Sequence, residues 1–293
     1  GSGKTGPNLL ALAGIAWSGI GCSQLITSVQ RKGKRADTPR LVVFFEPNGL
    51  RHKEFKLRPE PGWEETVVDL CWNCNSDILS VTLHCIKADG NGGSEEDTAP
   101  TIRSKVQLWH RSNYHWYCKY ELRYDGARVS MVNFDEERPH DMQVAIVCES
   151  VEVRSYVLAW DASTVSPDGT AASIDGTQLS FTPFKQAMVP PPMYFATVTM
   201  DAPVLGVTST PFCAGKMGGI SWIACLSDGS ICLLGERDQL EAMLEEKSNI
   251  GRPERFVTPT VLAKVALPNA QTMRQFLVIR ANLNEGGEVV VRC

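Results

Sequence analysis

No apolar run in this sequence approaches the ~20 residues that a membrane-spanning helix requires, so no membrane partner is expected. A basic excess is also missing. Lys and Arg number 29 against 33 Asp and Glu, for a formal net charge of −4 and a pI near 5.8. Proteins that grip nucleic acid by neutralising phosphates are usually basic, so this balance disfavours direct, electrostatically driven binding. There is no Gly-x-Ser-x-Gly elbow, and no His stands beside a nucleophile with an orienting acid, which leaves acyl-transfer chemistry without a basis. A compact disulfide framework is lacking too. The ten cysteines, at 22, 71, 74, 85, 118, 148, 213, 225, 232 and 293, mostly lie in apolar runs such as VAIVCESV, where a thiol acts as a small buried hydrophobe. That usage points to a reducing compartment.

What the sequence does have is short strands between polar turns. RLVVFFEPNGLRHKEFKL (40–57) reads as a hairpin about Pro-Asn-Gly. TVVDLCWNCNSDILSVTLHCI (66–86) is a second pair, broken at Asn73–Asp77, and SKVQLWHRSNYHWYCKYEL (104–122) is a third, turning near Ser112–Asn113. Two further stretches, 128–160 and 204–236, repeat the order strand, polar turn, apolar strand, short turn, strand. A unit of that kind closing on an apolar strand is propeller-blade grammar, and about four such units are expected. KADGNGGSEEDTAP (87–100) has nothing to bury and reads as a flexible acidic loop. ERDQLEAMLEEKSN (236–249) places Leu240, Met243 and Leu244 at helical spacing and predicts one short surface helix.

Several motifs invite chemistry. GSGKT at the chain start resembles the tail of a phosphate-binding loop, but the upstream glycine and strand are missing and Pro7 follows at once. The neighbouring NLLALAGIAWSGIGCS reads as a buried strand running into a turn, with the apolar core of a signal peptide as the other reading. Cys71, Cys74, His84 and Cys85 have a partial zinc spacing. However, adjacent His84 and Cys85 would point to opposite faces of a strand, so buried or half-exposed strand residues are the plainer reading. His110 and His115 flank a turn, and Asp135, Glu136 and Glu137 read as solvated loop charge. The basic run RKGKR (31–35) reads as a solvated hairpin loop, with RNA phosphate contact as its functional alternative. In MVPPPM (188–193), Pro190, Pro191 and Pro192 enforce an extended segment without donors, either a rigid connector or a ligand edge for a partner.

Taken in order, VVFFEPNGLRHKEFKL, VVDLCWNCNSDIL, VQLWHRSNYHWYCKYEL and ASIDGTQLSFTPFKQAMVPPPM resemble the N-terminal WD40-like region of the Elongator complex subunit 1 family, over roughly residues 10 to 235. The resemblance implies an all-β fold of WD40-like β-propeller blades, an incomplete propeller, with blades of the first β-propeller over 1–235. A helical connector and the start of a further blade or second propeller would occupy 236–293. It implies a scaffold in the Elongator complex, which installs carboxymethyl-type groups on the wobble uridine of certain tRNAs. The implied partners are a radical-SAM and acetyltransferase-like catalytic subunit and a second WD40 subunit. Homodimerisation in that family is ascribed to a C-terminal region, and tRNA contact by this segment would be indirect. No catalytic residue, cofactor or metal carries over, so no enzyme activity is expected. The expected compartment is the cytoplasm, with the nucleus also open. A generic WD40-type interaction module of another assembly is the alternative.

LWHRSNYHWYCKYEL (108–122) is the most aromatic stretch. Alternation puts Val106 and Leu108 on a buried face. Trp109, Tyr114, Trp116 and Tyr117 read first as blade packing. Trp109, Tyr114 and Trp116, together with Pro190, Pro191 and Pro192, also form the candidate partner surface, since Trp and Tyr are favoured there.

Overall fold

The computed structural model describes residues 9–11, 16–17, 26–32, 40–87, 102–112, 115–159, 163–189, 193–210, 220–236, 256–266, 280–283 and 289–292. All regular structure among them is strand. β1 (Leu9–Ala11), β2 (Ala16–Trp17), β3 (Ile26–Lys32), β4 (Arg40–Phe45) and β5 (Arg51–Lys56) form one sheet in the order β1-β3-β4-β5, with β2 also on β3. β6 (Trp63–Trp72), β7 (Ile78–Lys87), β8 (Ile102–Ser112) and β9 (His115–Asp125) follow in sequential order. β10 (Arg128–Phe134), β11 (Asp141–Val147) and β12 (Val151–Val157) make a three-stranded sheet. β13 (Ser163–Val165), β14 (Thr170–Asp175), β15 (Gln178–Pro183) and β16 (Ala196–Thr199) make a four-stranded one. So do β17 (Val204–Ser209), β18 (Ile220–Leu226), β19 (Ser230–Gly235) and β20 (Thr260–Ala266). A ribbon of β21 (Arg280–Leu283) and β22 (Val289–Arg292) completes the set. Every pairing is antiparallel between sequence neighbours or near neighbours, which is the meander of propeller blades.

The hairpins lie where the turn chemistry puts them. Between β4 and β5, Gly49 has φ +84°, Glu46 N–H donates to Leu50 O at 2.8 Å, and Asn48 Oδ1 accepts from Leu50 N–H at 2.8 Å. Between β6 and β7, buried Asn73 organises the turn. Its Oδ1 accepts from the N–H groups of Asp77 (3.1 Å) and Ile78 (3.0 Å), and its Nδ2 donates to Asp77 Oδ1 (2.7 Å) and Pro139 O (3.2 Å). The last bond ties this turn to the loop joining β10 and β11. Ser76, at φ 58°, is the one non-glycine residue in the left-handed region among the described residues.

The chain divides into two compact units, Gly1–Ser112 with Glu121–Ala159, and Asn113–Tyr120 with Trp160–Cys293. β9 therefore begins in the second set and ends in the first. In unit 1, β7 is buried on both faces from Ile78 to Leu83, its ILSVTL stretch showing no exposed face. Phe44 sits 5.9 Å from Trp72, whose indole N–H donates to Thr27 Oγ1 at 2.9 Å, joining β6 to β3. Ser104 links β8 to the next sheet, donating to Ala127 O (2.9 Å) and accepting from Val129 N–H (3.0 Å). In unit 2, Ala172, Ile174, Leu179 and Phe181 pack with Val204, Trp222, Ala224 and Leu234. The Phe181 and Trp222 rings meet edge to face at 5.3 Å.

The segment after residue 235 differs from expectation in one respect. β20 pairs with β19, Gly235 opposite Thr260, so residues 260–266 complete the sheet that holds β17–β19 rather than starting another. The helix expected over 236–249 lies, apart from Glu236, outside the described residues, as do GSGKT and the tip of RKGKR. No helix among the described residues is long and apolar enough to cross a membrane.

Candidate functional site

β8 carries Arg103, Lys105, Gln107 and Trp109 at every second position, and the far end of β9 carries Glu121, Arg123 and Asp125 in the same way. Period two puts each set on one face of its strand. A sheet with one wet face would leave these residues in water. Here the face is covered: Lys105 is 2% exposed, Trp109 3% and Glu121 6%.

The charges in this layer bind one another. Lys105 Nζ donates to Glu65 Oε1 at 2.7 Å and also pairs with Glu60. Arg103 Nη1 donates to Glu60 Oε1 at 3.1 Å and its Nε to Asp125, while its guanidinium lies 4.3 Å from the Trp63 ring centre. Arg123 Nε donates to Glu121 Oε1 at 2.7 Å, with Nη2 3.6 Å from Glu60 Oε2. Gln107 Nε2 donates to Glu121 Oε2 at 2.7 Å and its Oε1 accepts from Trp109 Nε1 at 3.1 Å. The Trp109 ring in turn packs 4.3 Å from Phe55. Three cations thus meet four carboxylates (Glu60, Glu65, Glu121, Asp125) in one partly sealed network.

Charge balance sets the titration. Burial pushes Lys105 toward neutrality, but Glu121, Glu65 and Glu60 outweigh it and hold its pKa above the ordinary lysine value. Burial likewise pushes Glu60 up, and the Lys105 hydrogen bond with the charges of Lys105, Arg123 and Arg103 brings it below the ordinary carboxylate value. Cys85 is pushed up to about 12 by burial, partly offset by Lys105, with Glu65, Glu121 and Glu60 raising it further. Its thiol is therefore unreactive at neutral pH. The network pairs its cations with carboxylates across three strands and the β5–β6 loop, which suits a rigid strut.

Unit 2 holds a second buried cation. Lys119 on β9 donates to Ile174 O at 2.7 Å and lies 4.8 Å from the Tyr117 ring centre. Burial lowers its pKa to about 8, with Asp175 and Cys118 opposing. Asp175 accepts from Cys118 N–H at 3.0 Å, and Gly176 N–H donates to Cys118 O at 2.6 Å, so this lysine is held where β9 meets β14.

Of the sequence-predicted partner residues, Trp109 and Trp116 are both buried, at 3% and 6% exposure, so neither offers an open ring to a partner. Tyr114, Pro190, Pro191 and Pro192 lie outside the described residues. The methionines flanking the prolines, Met188 and Met193, are exposed. His84 Nε2 donates to Val129 O at 2.9 Å, and among the described residues no group of three or more His, Cys, Asp and Glu could hold a metal. His110 stands 4.0 Å from Asp77, and His115 packs 4.7 Å from Tyr117. Sequence reasoning missed the network of Lys105, Glu65 and Glu121. Part of its signal was present as Arg103, Lys105, Glu121, Arg123 and Asp125 alternating along two adjacent strands.

Residues 13–137 match the family model described as ELP1 first N-terminal beta-propeller, and residues 173–283 match ELP1 N-terminal second beta-propeller. The 235/236 boundary expected from the sequence falls inside the second match. Elongator complex protein 1 of Oryctolagus cuniculus is 35% identical over 208 residues, 68% of this chain and 14% of that protein. Elongator complex protein 1 of Saccharomyces cerevisiae is 32% identical over 197 residues, 66% of this chain and 13% of that protein. The chain thus spans about one-seventh of the length of these curated relatives. Among solved structures, Sqt1 from Chaetomium thermophilum aligns with a TM-score of 0.30 at 13% identity, over 90% of this chain and 62% of that one, a likeness that carries no argument.

Proposed function

We propose that this chain, which belongs to the Elongator complex subunit 1 family, is a non-catalytic scaffold segment that supports wobble-uridine (U34) modification of tRNA through protein–protein contacts. The observation that carries the reading is the tandem order of the two family matches, first propeller then second, in one chain. The described polar clusters favour the same role. Lys105, Glu60, Glu65 and Glu121 are committed to one another, as a load-distributing network would be. The partners proposed are the radical-SAM and acetyltransferase-like subunit and the second WD40 subunit of Elongator. Contact with tRNA is indirect for this segment, in keeping with the net charge of −4. The cytoplasm is the proposed compartment, with the nucleus also open.

The test is mass spectrometry of tRNA nucleosides after deletion of the gene that encodes the chain. Loss of carboxymethyl-type wobble uridines, with other modifications intact, is expected. Unchanged levels, with no second gene copy, would overturn the reading and leave a propeller interaction module of another assembly, whose partners pull-down would identify.

A further inference from the structure

Among the described residues, the sheet of β10, β11 and β12 ends at β12. The direction of its backbone groups follows from two bonds. Leu158 N–H donates to His140 O at 2.7 Å, and Cys148 N–H donates to Ser150 O at 3.1 Å. With the register running from Asp141 opposite Val157 to Val147 opposite Val151, Glu152, Arg154 and Tyr156 are the residues whose N–H and C=O face β11. Val151, Val153, Ser155 and Val157 turn theirs to the open edge. This edge lacks several of the usual protections, its charges being Glu152 and Arg154 alone. It carries no proline and no lysine, and its pairing with β11 runs without a bulge. Its three valines are 71%, 59% and 73% exposed.

We propose that β12 pairs antiparallel with β12 of a second copy of this chain, about a two-fold axis through Val153. The charges on the strand select this register. Centring on Arg154 sets arginine against arginine, and centring on Glu152 sets glutamate against glutamate. Centring on Ser155 puts Arg154 opposite Tyr156. Centring on Val153 puts Glu152 of each copy opposite Arg154 of the other, twice, in non-hydrogen-bonded positions where side chains come closest. Within one chain these two residues already pair, Arg154 Nε to Glu152 Oε1 at 2.7 Å, so the exchange in trans costs no buried charge. The outward N–H and C=O groups of Val151, Val153 and Ser155 then meet those of Ser155, Val153 and Val151. A two-fold contact of this kind closes at two copies. Its small area makes it concentration-dependent. It is separate from the C-terminal dimerisation that the family resemblance implies.

Sedimentation of the whole chain over a concentration series tests this. A monomer–dimer equilibrium is expected for the wild type. Glu152→Arg places arginine against arginine and is expected to weaken dimerisation by about tenfold. Glu152→Arg with Arg154→Glu restores opposite charges and is expected to restore the dimer. Both sites are on the surface, and circular dichroism checks that the fold is kept. In a Cys148→Ser background, Val153→Cys is expected to cross-link on oxidation, since its mate lies directly opposite, about 5.5 Å away between Cα atoms. Val157→Cys, four residues from the axis, is expected not to. A wild type that stays monomeric at every concentration overturns the proposal and leaves the edge to another protein's strand. So does association that Glu152→Arg leaves unchanged, or cross-linking by Val157→Cys as readily as by Val153→Cys.

Discussion

Lys105 donates to Glu65 at 2.7 Å with both side chains almost wholly out of solvent, 2% and 3% exposed. Desolvation makes such a pair a weak source of net stability but makes its half-removal expensive. Lys105→Met removes the cation that buried Glu65 pairs with, while Glu60 keeps Arg103 and Arg123, and is expected to cost about 3–5 kcal/mol. The double change Lys105→Met with Glu65→Leu removes the pair together and is expected to cost less than the sum of the two single changes. Urea midpoints of the four proteins check this. Additive losses would show that the two residues are not coupled.

The same network sets an acid limit. Glu60 titrates below its ordinary value of 4.5 in the folded state, because the Lys105 hydrogen bond and the nearby charges of Lys105, Arg123 and Arg103 outweigh burial. A depressed folded-state pKa binds fewer protons than the unfolded chain, so stability is full above 4.5 and is lost as pH falls through the folded value. Denaturation at pH 7 down to pH 3 is expected to show that loss, and Glu60→Gln is expected to flatten part of it. An unchanged slope in Glu60→Gln would mean that other carboxylates carry the acid transition.

Lys119 is shifted in the same direction for a different reason. Its folded pKa of about 8 lies under the ordinary 10.5, because burial disfavours the ammonium. Below about 8 the folded protein carries a buried charge at a cost. Between about 8 and 10.5 the unfolded chain holds the extra proton, so stability rises with pH there. Lys119→Met is expected to remove that rise, measured as urea midpoints from pH 7 to 10. A rise that persists in the variant would place its origin elsewhere.

The strands were the legible part of the sequence. The Pro-Asn-Gly hairpin, the break at Asn73–Asp77 and the three-strand units at 128–160 and 204–236 are each set by local turn chemistry and side-chain alternation. Val106 and Leu108 are fully buried as alternation requires. The charged face of β8 was not legible as an interior, because period two reports which residues share a face and is silent about what covers it. Arg103, Lys105 and Gln107 look the same in sequence whether water or another layer lies above them. Trp109 lies on that same face, so its role also turned on the cover. The pairing of β20 was not legible for a different reason. β20 returns to β19 across 24 residues, and no local signal encodes that pairing.

Trp109 is where the packing and partner readings part. Its indole N–H donates to Gln107 Oε1 at 3.1 Å, and Gln107 passes the connection on to Glu121 at 2.7 Å. Phenylalanine keeps a ring against Phe55 but has no donor. Trp109→Phe therefore leaves Gln107 Oε1 buried without that bond, and a loss of about 1–3 kcal/mol in unfolding free energy is expected. A residue serving a partner would behave otherwise: the free chain would keep its stability and only complex formation would suffer. Urea unfolding of the variant, alongside pull-down with the Elongator subunits, separates the two. Loss of stability in the free chain places Trp109 in the blade interior. Unchanged stability with lost pull-down would return it to the partner surface and require the Gln107 contact to be dispensable.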